Sequence, residues 1–591
     1  MRSLIRFCLL VFAFGILFAA REDFKIRSVT FEGNMTCKAR TLHRVMISRP
    51  SQFLIPVHYR PELLESDLEA LATYYRQRGF LAFEHLDHEV QVDSSRKRVD
   101  IQIRFNEGPR TYLESVGLVG NAVFSDSLLG RSLKLKAGDP LDADAIRQSS
   151  LRMLRSYADS GYLDASVDHA WRLGSADTLA LLDFNIQEGP QIRVGDIRLE
   201  GLDKTGANVV RRELTFEEGE IARYSKLMQT QRALYLTGLF ETVFVEPRFG
   251  ADRDSTLRAI AIEVQEIRAG SFDVAVGYGS VERLRIKSSF LQSNLGGTAR
   301  KIGVNGRLSS LYRVLEASFT DPRVRDSQWR FDANLKREFQ FQPTYGVSTY
   351  GLRMALRRNL SRRWSATVAL KNEASRLFDV KVDSLAELTS ADIQSLQGRM
   401  TYDSRNNLFN PTDGIFAEIN HEIAGGPLQK SNRFNRSRLR LGWYQPAGER
   451  GTLASGFDIE ILHGRTDRLA VSINERLYAG GPNSIRGYAY RSISPRDAAG
   501  TAYGGLLRIT WNVLEWRVPI YRTLYLAPFV DTGNVWRSSY EAGIRHLKWS
   551  AGSGLHIRSS LGIARVDVAY PLSPFTAWAE PRVTFSLGYA F

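Results

Sequence analysis

From Ala269 to Phe591 apolar and polar residues alternate in one short stretch after another. A period of two places successive side chains on opposite faces of a strand. About sixteen such stretches follow each other, from Ser271–Gly279 and Arg283–Gln292 through Tyr503–Trp516 and Thr523–Gly533 to Gly562–Tyr570 and Arg582–Phe591. No helical pattern intervenes, and no run approaches the ~18 apolar residues a transmembrane helix needs. So many half-apolar strands, even in number, predict an all-β transmembrane barrel of about sixteen antiparallel strands. Mean hydropathy of −0.24 excludes a helical membrane protein, while 47 glycines and 11% aromatics suit bent strands and interfacial girdles. Turns after even-numbered stretches are mostly short (Ser293–Gly297, Asn359–Arg363), and the long connections follow odd-numbered ones. Both barrel ends and the N-terminal half are therefore expected on one side of a membrane.

That N-terminal half has a different grammar. Met1–Ala20 reads as a signal peptide: Arg2 and Arg6 precede an apolar core, Phe7–Phe18, which ends at Ala19-Ala20. From Phe24 to about Gln265 the chain repeats roughly every 80 residues. Each unit opens with a strand that ends in glycine, at Gly33, Gly120 and Gly201. Two helical patterns follow, the second closing on an aromatic-plus-glycine signature around Gly79, Gly161 and Gly238, and then two strands. Units one and two both end in Glu-Gly-Pro, at Glu107 and Glu188. The expected domains are a signal peptide over residues 1–20, repeats over 21–109, 110–190 and 191–267, and a barrel over 268–591. The fold class is α+β repeats followed by an all-β barrel.

A net charge of +15 allows anionic partners such as lipid headgroups. Nucleic acid is not expected, because the arginines are scattered along alternating strands rather than gathered in a stripe. Beyond the leader the only cysteine is Cys37, so no internal disulfide can form. No Cys/His spacing suits a metal, and no phosphate-binding loop, His-Glu-x-x-His or nucleophile elbow occurs. No cofactor is expected, and the chain is not expected to be an enzyme.

The most informative stretch lies in the long strand-free interval His463–Ala502: Gly480-Gly-Pro-Asn-Ser-Ile-Arg486-Gly487-Tyr488. Loops beyond about 15 residues are uncommon unless functional or disordered. Gly487 permits a close backbone approach, and Arg486 offers a planar fork of donors for carboxylates. Glu515 and Asp531 follow in strand-like runs, Glu515-Trp-Arg-Val-Pro and Phe529-Val-Asp-Thr-Gly533. In order and spacing the three patterns resemble the BamA/TamA family of outer-membrane assembly factors, and the β-α-α-β-β repeats resemble POTRA domains. The turn Tyr402–Gly414 and the C-terminal aromatic strand also resemble family signatures. Three repeats suggest the TamA type.

The resemblance implies that Arg486 enters the lumen and pairs with Glu515, Asp531 or both, with Arg491, outside the motif, mattering little. It implies a lateral seam where the last strand meets the first, formed by Phe272, Val274, Val276 and Tyr278 against Phe585, Leu587, Gly588, Tyr589 and Phe591. The implied location is the bacterial outer membrane with the repeats in the periplasm. The implied partners are unfolded outer-membrane protein clients, membrane lipids, and periplasmic, lipoprotein or inner-membrane assembly proteins. A two-partner-type secretion transporter and a passive channel are the competing readings. In the family repeat the middle strand is a sheet edge that accepts extended clients, here Ala82–Val92, Ala165–Leu173 and Val243–Phe249, with Pro247 expected to weaken the third.

Overall fold

A computed structural model describes residues 24–51, 56–248, 256–382, 392–408, 410–425, 433–448, 451–464, 471–521, 523–559, 562–572 and 580–587. The expected signal peptide and the seam residues Gly588, Tyr589 and Phe591 lie outside these. The chain forms two compact units, divided within the third repeat: one holds residues up to 198 with 215–231 and 244–262, the other 199–214, 232–243 and 263 onward.

In the first repeat β1 (Lys25–Glu32), α1 (Ala39–Val45), α2 (Pro61–Arg76), β2 (Glu84–Asp93) and β3 (Arg98–Asn106) form a sheet of order β1-β3-β2 beneath two helices. Leu64, Leu68, Leu71 and Tyr75 recur at helical spacing on α2 and pack on Val99, Ile101, Ile103 and Phe105, which alternate along β3. The second repeat copies this with β4 (Tyr112–Val119), α3 (Asp126–Ser132), α4 (Ala143–Asp159), β5 (Ser166–Leu173) and β6 (Leu179–Gln187). The third has β7 (Arg193–Glu200), α5 (Ala207–Arg211), α6 (Tyr224–Leu236), β8 (Phe240–Pro247) and β9 (Leu257–Glu266). In every sheet the strand that follows the helices (β2, β5, β8) lies at an edge. Pro247 is the last residue of β8, so it removes a donor only at the end of that edge rather than within it.

The glutamate that ends each repeat has a structural task. Glu107 accepts the Tyr75 hydroxyl at 2.9 Å and the backbone N–H of Thr36 at 3.0 Å. Glu188 takes the Tyr157 hydroxyl and the Val123 N–H, both at 2.8 Å. Glu266 receives the N–H groups of Asp203 at 3.0 Å and Thr205 at 2.8 Å. Each carboxylate thus ties the end of a repeat to the loop after its first strand, where Gly33, Gly120 and Gly201 take positive φ against a neighbouring strand carbonyl. Burial, and then the hydrogen bond to the glutamate, raises the pKa of both tyrosines.

The second unit is dominated by a closed barrel of sixteen strands, each antiparallel to its neighbour in sequence. They are β10 (Gly270–Gly279), β11 (Arg283–Leu295), β12 (Arg300–Leu308), β13 (Tyr312–Asp321), β14 (Trp329–Phe341), β15 (Gly346–Asn359), β16 (Trp364–Phe378) and β17 (Ile393–Asp403), followed by β18 (Gly414–Ala424), β19 (Phe434–Ala447), β20 (Gly451–Gly464), β21 (Leu507–Tyr521), β22 (Leu524–Trp536), β23 (Lys548–Ser559), β24 (Gly562–Pro571) and β25 (Arg582–Leu587). Alternation holds on both faces. Val368, Leu370 and Ile419 point outward, while Glu373, Glu418 and Glu422 are buried inside and paired with cations. One expected strand start is corrected: Tyr503 to Leu506 belong to the long loop, and β21 begins at Leu507. Tyr503 packs with Tyr345, Ile473 and Tyr478 in an apolar cluster of that loop, which its alternation alone does not reveal.

Candidate functional site: a pinned loop and a seam

The connection between β20 and β21 folds into the barrel. Ile485 is fully buried in an apolar cluster with Ile393, Phe434, Leu462 and Val535, so burial of apolar surface helps hold the loop there. Beside it Arg486 is 6% exposed, Glu515 7% and Asp531 0%. The Arg486 Nε and Nη2 donate to Asp531 at 2.8 and 2.9 Å, and its backbone N–H donates to the same carboxylate at 3.1 Å. Nη1 donates to Glu515 at 2.8 Å. The guanidinium carbon lies 3.2 Å from the centre of the Phe529 ring. One cation is therefore held by two carboxylates and an aromatic face, the arrangement in which a buried charge is best compensated.

The strands explain how these groups converge. Phe529 and Asp531 are two apart on β22 and share its inward face. Glu515 reaches the lumen for another reason. Asn512 pairs with Asp531 and Leu514 with Val530, leaving Val513 as an extra residue, a β-bulge. Trp511 faces outward, and strict alternation would turn Val513 and Glu515 outward too. The bulge reverses the parity, so that Leu514 and Trp516 meet the exterior and Glu515 and Arg517 the lumen.

Gly487 adopts φ +92°, and a Cβ there would lie 3.1 Å from the Ser550 Cβ and 3.2 Å from the Tyr570 carbonyl carbon. The backbone is pressed against β23 and β24, where only glycine has both the conformation and the space. Tyr488 donates its hydroxyl to the Trp549 carbonyl at 3.1 Å.

Several participants are not visible in the motif. Asn512 donates to Asp531 at 2.6 Å, and Arg517 donates to Glu515 at 2.8 Å and to the Pro411 carbonyl at 3.4 Å. Arg517 thereby joins the pinned loop to the Tyr402–Gly414 turn; its position two residues after Glu515, on the same strand face, is the signal that could have found it. Arg491, expected to matter little, has partners of its own. Its guanidinium lies 3.6 Å from the Tyr478 ring centre and donates to the Tyr345 hydroxyl at 2.9 Å. Its φ of +56° is a conformation that non-glycine residues seldom adopt.

At the other proposed site, β10 meets β25. Among the described residues the ladder consists of Tyr278 opposite Leu587 and Gly279 opposite Ser586. The Ser280 N–H also donates to the Phe585 carbonyl at 2.8 Å, and the Tyr278 and Phe585 rings are 6.1 Å apart. Phe272, Val274 and Val276 form an outward row along β10, all more than half exposed.

Three small α+β repeats ahead of a sixteen-stranded barrel with a loop pinned in its lumen define the class of repeat-bearing outer-membrane barrels. Residues 294–591 match the Omp85 superfamily domain, and residues 24–108, 111–189 and 192–266 each match the POTRA (surface antigen variable number repeat) domain. The chain belongs to the Omp85 superfamily. It is similar to the outer membrane protein assembly factor BamA of Nitratidesulfovibrio vulgaris, 27% identical over 556 residues that cover 90% of this chain and 68% of that protein. BamA of Neisseria meningitidis serogroup B is 25% identical, covering 96% of this chain and 78% of the relative. The crystal structure of Haemophilus ducreyi BamA lacking POTRA domains 1–3 shares the fold, with a TM-score of 0.68 at 21% identity, and covers 81% of this chain and 99% of that one. These matches carry the BamA name and lend no support to a TamA subtype.

Proposed function

We propose that this chain is an outer-membrane protein assembly factor that inserts β-rich clients into the bacterial outer membrane, with its repeats in the periplasm and an N-terminal leader directing export. The observation that carries the reading is the architecture itself: three POTRA repeats ahead of a closed sixteen-strand Omp85 barrel whose last strand, β25, meets its first, β10. An unpaired strand in lipid costs several kcal/mol per unsatisfied group, and the junction of the last strand with the first is a place where a client strand can find a partner. The edge strands β2, β5 and β8 offer backbone donors and acceptors to extended clients before they reach the seam. In this reading Arg486, Glu515 and Asp531 keep the wall at β21 and β22, three strands before β25, rigid while the seam exchanges partners. The outward row Phe272, Val274, Val276 and Tyr278, with Phe585 and Leu587, forms the gate, to which Gly588, Tyr589 and Phe591 are assigned by sequence. No covalent chemistry or nucleotide is required, because client folding supplies the free energy.

Photo-crosslinking in cells from β10 and β25 tests this. Adducts with nascent barrel proteins are expected from both strands. Adducts with a single soluble exported protein, from lumen positions only, would establish a secretion transporter instead.

A further inference from the structure

The outward rows of β13 to β16 hold a feature that client insertion does not use. These rows face away from the lumen, since Leu315, Leu335 and Tyr350 are 58%, 59% and 60% exposed. At the end of the strands from which the β16–β17 loop leaves, they carry Arg313, Arg337 and Arg376. Register places them together: Arg313 lies opposite Phe339, Phe339 opposite Ser348, and Ser348 opposite Arg376, with Arg337 two residues along from Phe339. Adjacent strands are ~4.8 Å apart, so the cluster is about 14 Å wide.

The same rows from Leu315, Leu335, Leu352 and Asn372 to the loop end contain no carboxylate; Glu316, Glu338 and Glu373 lie on the inward rows, and Asp379 follows in the loop. The inward rows of these strands behave differently. There Lys336 and Lys371 are each bound to Glu373, at 2.9 and 2.8 Å.

Two of the outward arginines, Arg313 and Arg337, are held by aromatic faces instead. The Arg337 guanidinium carbon is 3.5 Å from the Tyr350 ring centre and 4.4 Å from that of Phe339, and Arg313 is 5.1 Å from the Phe341 ring centre. Phe341 in turn meets Phe378 edge to face at 6.0 Å. The Arg337 Nη1 is buried and has no hydrogen-bond partner among the described residues. A buried guanidinium N–H without an acceptor is costly. Ring faces orient these cations without neutralising them, and their setting is the outer edge of an apolar belt.

We propose that Arg313, Arg337 and Arg376 form a docking site for an anionic lipid of the outer leaflet, one whose headgroup carries two separated phosphates. The acyl chains of the lipid lie along Leu315, Leu335 and Leu352, and Nη1 of Arg337 gains its acceptor from a phosphate oxygen. This rests on the outer-membrane reading above, which sets the loop end in the outer leaflet. Basic side chains near an anionic bilayer surface each add roughly fivefold to affinity.

The test uses the full chain in phosphatidylcholine nanodiscs doped with a bis-phosphorylated glucosamine-disaccharide lipid or its phosphate-free analogue, with bound lipid counted by native mass spectrometry. The wild type is expected to retain the phosphorylated lipid selectively. The variant R313Q/R337Q/R376Q should lose that selectivity by about fivefold per arginine, while R357Q/R362Q/R363Q, at the opposite end of the strands, should keep it. Heat-modifiable gel mobility reports folding, and if the triple variant does not fold, Arg376→Gln alone should show its single fivefold loss. Equal retention of both lipids, or unchanged selectivity in the variant, overturns the proposal. So does inorganic pyrophosphate binding equally well in lipid-free detergent, which would define a soluble-anion site. A chain that fails to insert across the bilayer refutes the outer-membrane reading as well.

Discussion

Two parts of one barrel wall are built to opposite specifications. From β21 to β22 eleven residue pairs are in register, and the lumen face is braced by Arg486, Glu515, Asp531 and Arg517. Where β10 meets β25 an outward apolar row is the main feature, and no ion pair joins the two strands among the described residues. Breaking a buried ion pair costs about 3–5 kcal/mol, so the braced region is the harder of the two to open. A barrel that must open somewhere without unravelling needs this inequality: a wall that resists and a seam that yields.

The largest expected effect comes from attacking the braced wall. Arg486→Ala leaves Asp531 buried without its cation, and breaking a buried pair costs about 3–5 kcal/mol. Loss of heat-modifiable mobility and of client assembly should follow. Arg486→Lys should rescue poorly, since an ammonium cannot occupy three acceptor positions in a plane. Double-mutant cycles with Asp531→Asn and Glu515→Gln should show strong coupling, larger with Asp531, which accepts three of the four bonds from Arg486. Additive effects in both cycles would reduce the network to passive filling.

Stiffening the seam is the converse experiment. Tyr278→Cys with Leu587→Cys places thiols at a matched register position. Oxidation should abolish client assembly without unfolding the barrel, and reduction should restore it. Full activity in the locked form would show that clients do not pass there.

Arg491→Ala should cost about 2 kcal/mol, from a lost cation–π contact and hydrogen bond. Thermal unfolding and proteolysis of the loop measure it. A neutral result would mean that the Tyr345–Tyr478 pocket closes without the cation.

A smaller effect lies outside the barrel. Burial disfavours the Glu266 carboxylate, but backbone N–H groups of Thr205, Asp203 and Lys204 outweigh it and hold its pKa below the usual 4.5. The depressed pKa belongs to the folded state. The stabilisation is therefore complete above about pH 4.5 and disappears as pH falls through the folded value. Hydrogen exchange at Asp203–Thr205 should accelerate on acidification in the wild type. In Glu266→Gln it should be fast and pH-independent beyond the intrinsic rate; an unchanged acid response would assign the effect to another group.

Strand number and the β-α-α-β-β repeats were legible in the sequence because both depend on local periodicity, as at Leu64, Leu68, Leu71 and Tyr75. The residue types that meet at Arg486 were legible because a long loop with one fork of donors stands near two acids in strand-like runs. What was hidden depends on distant partners. Arg491 looks exposed beside a tight turn, and only Tyr345, 146 residues earlier, shows otherwise. Pro411 gives no sign that its carbonyl serves Arg517. The arginines on the outward rows look like ordinary alternation until the register of four strands sets them side by side.

The bulge at Val513 has a consequence for how this segment can vary through insertion and deletion. Removing one residue there would leave every remaining side chain chemically intact and restore a regular ladder. It would also send Glu515 and Arg517 into the hydrocarbon and bring Leu514 and Trp516 inside. Many single substitutions along β21 change one contact, whereas a change of one in its length inverts the half-strand that follows. The count of residues between Asn512 and Glu515 carries as much structural information as their identities.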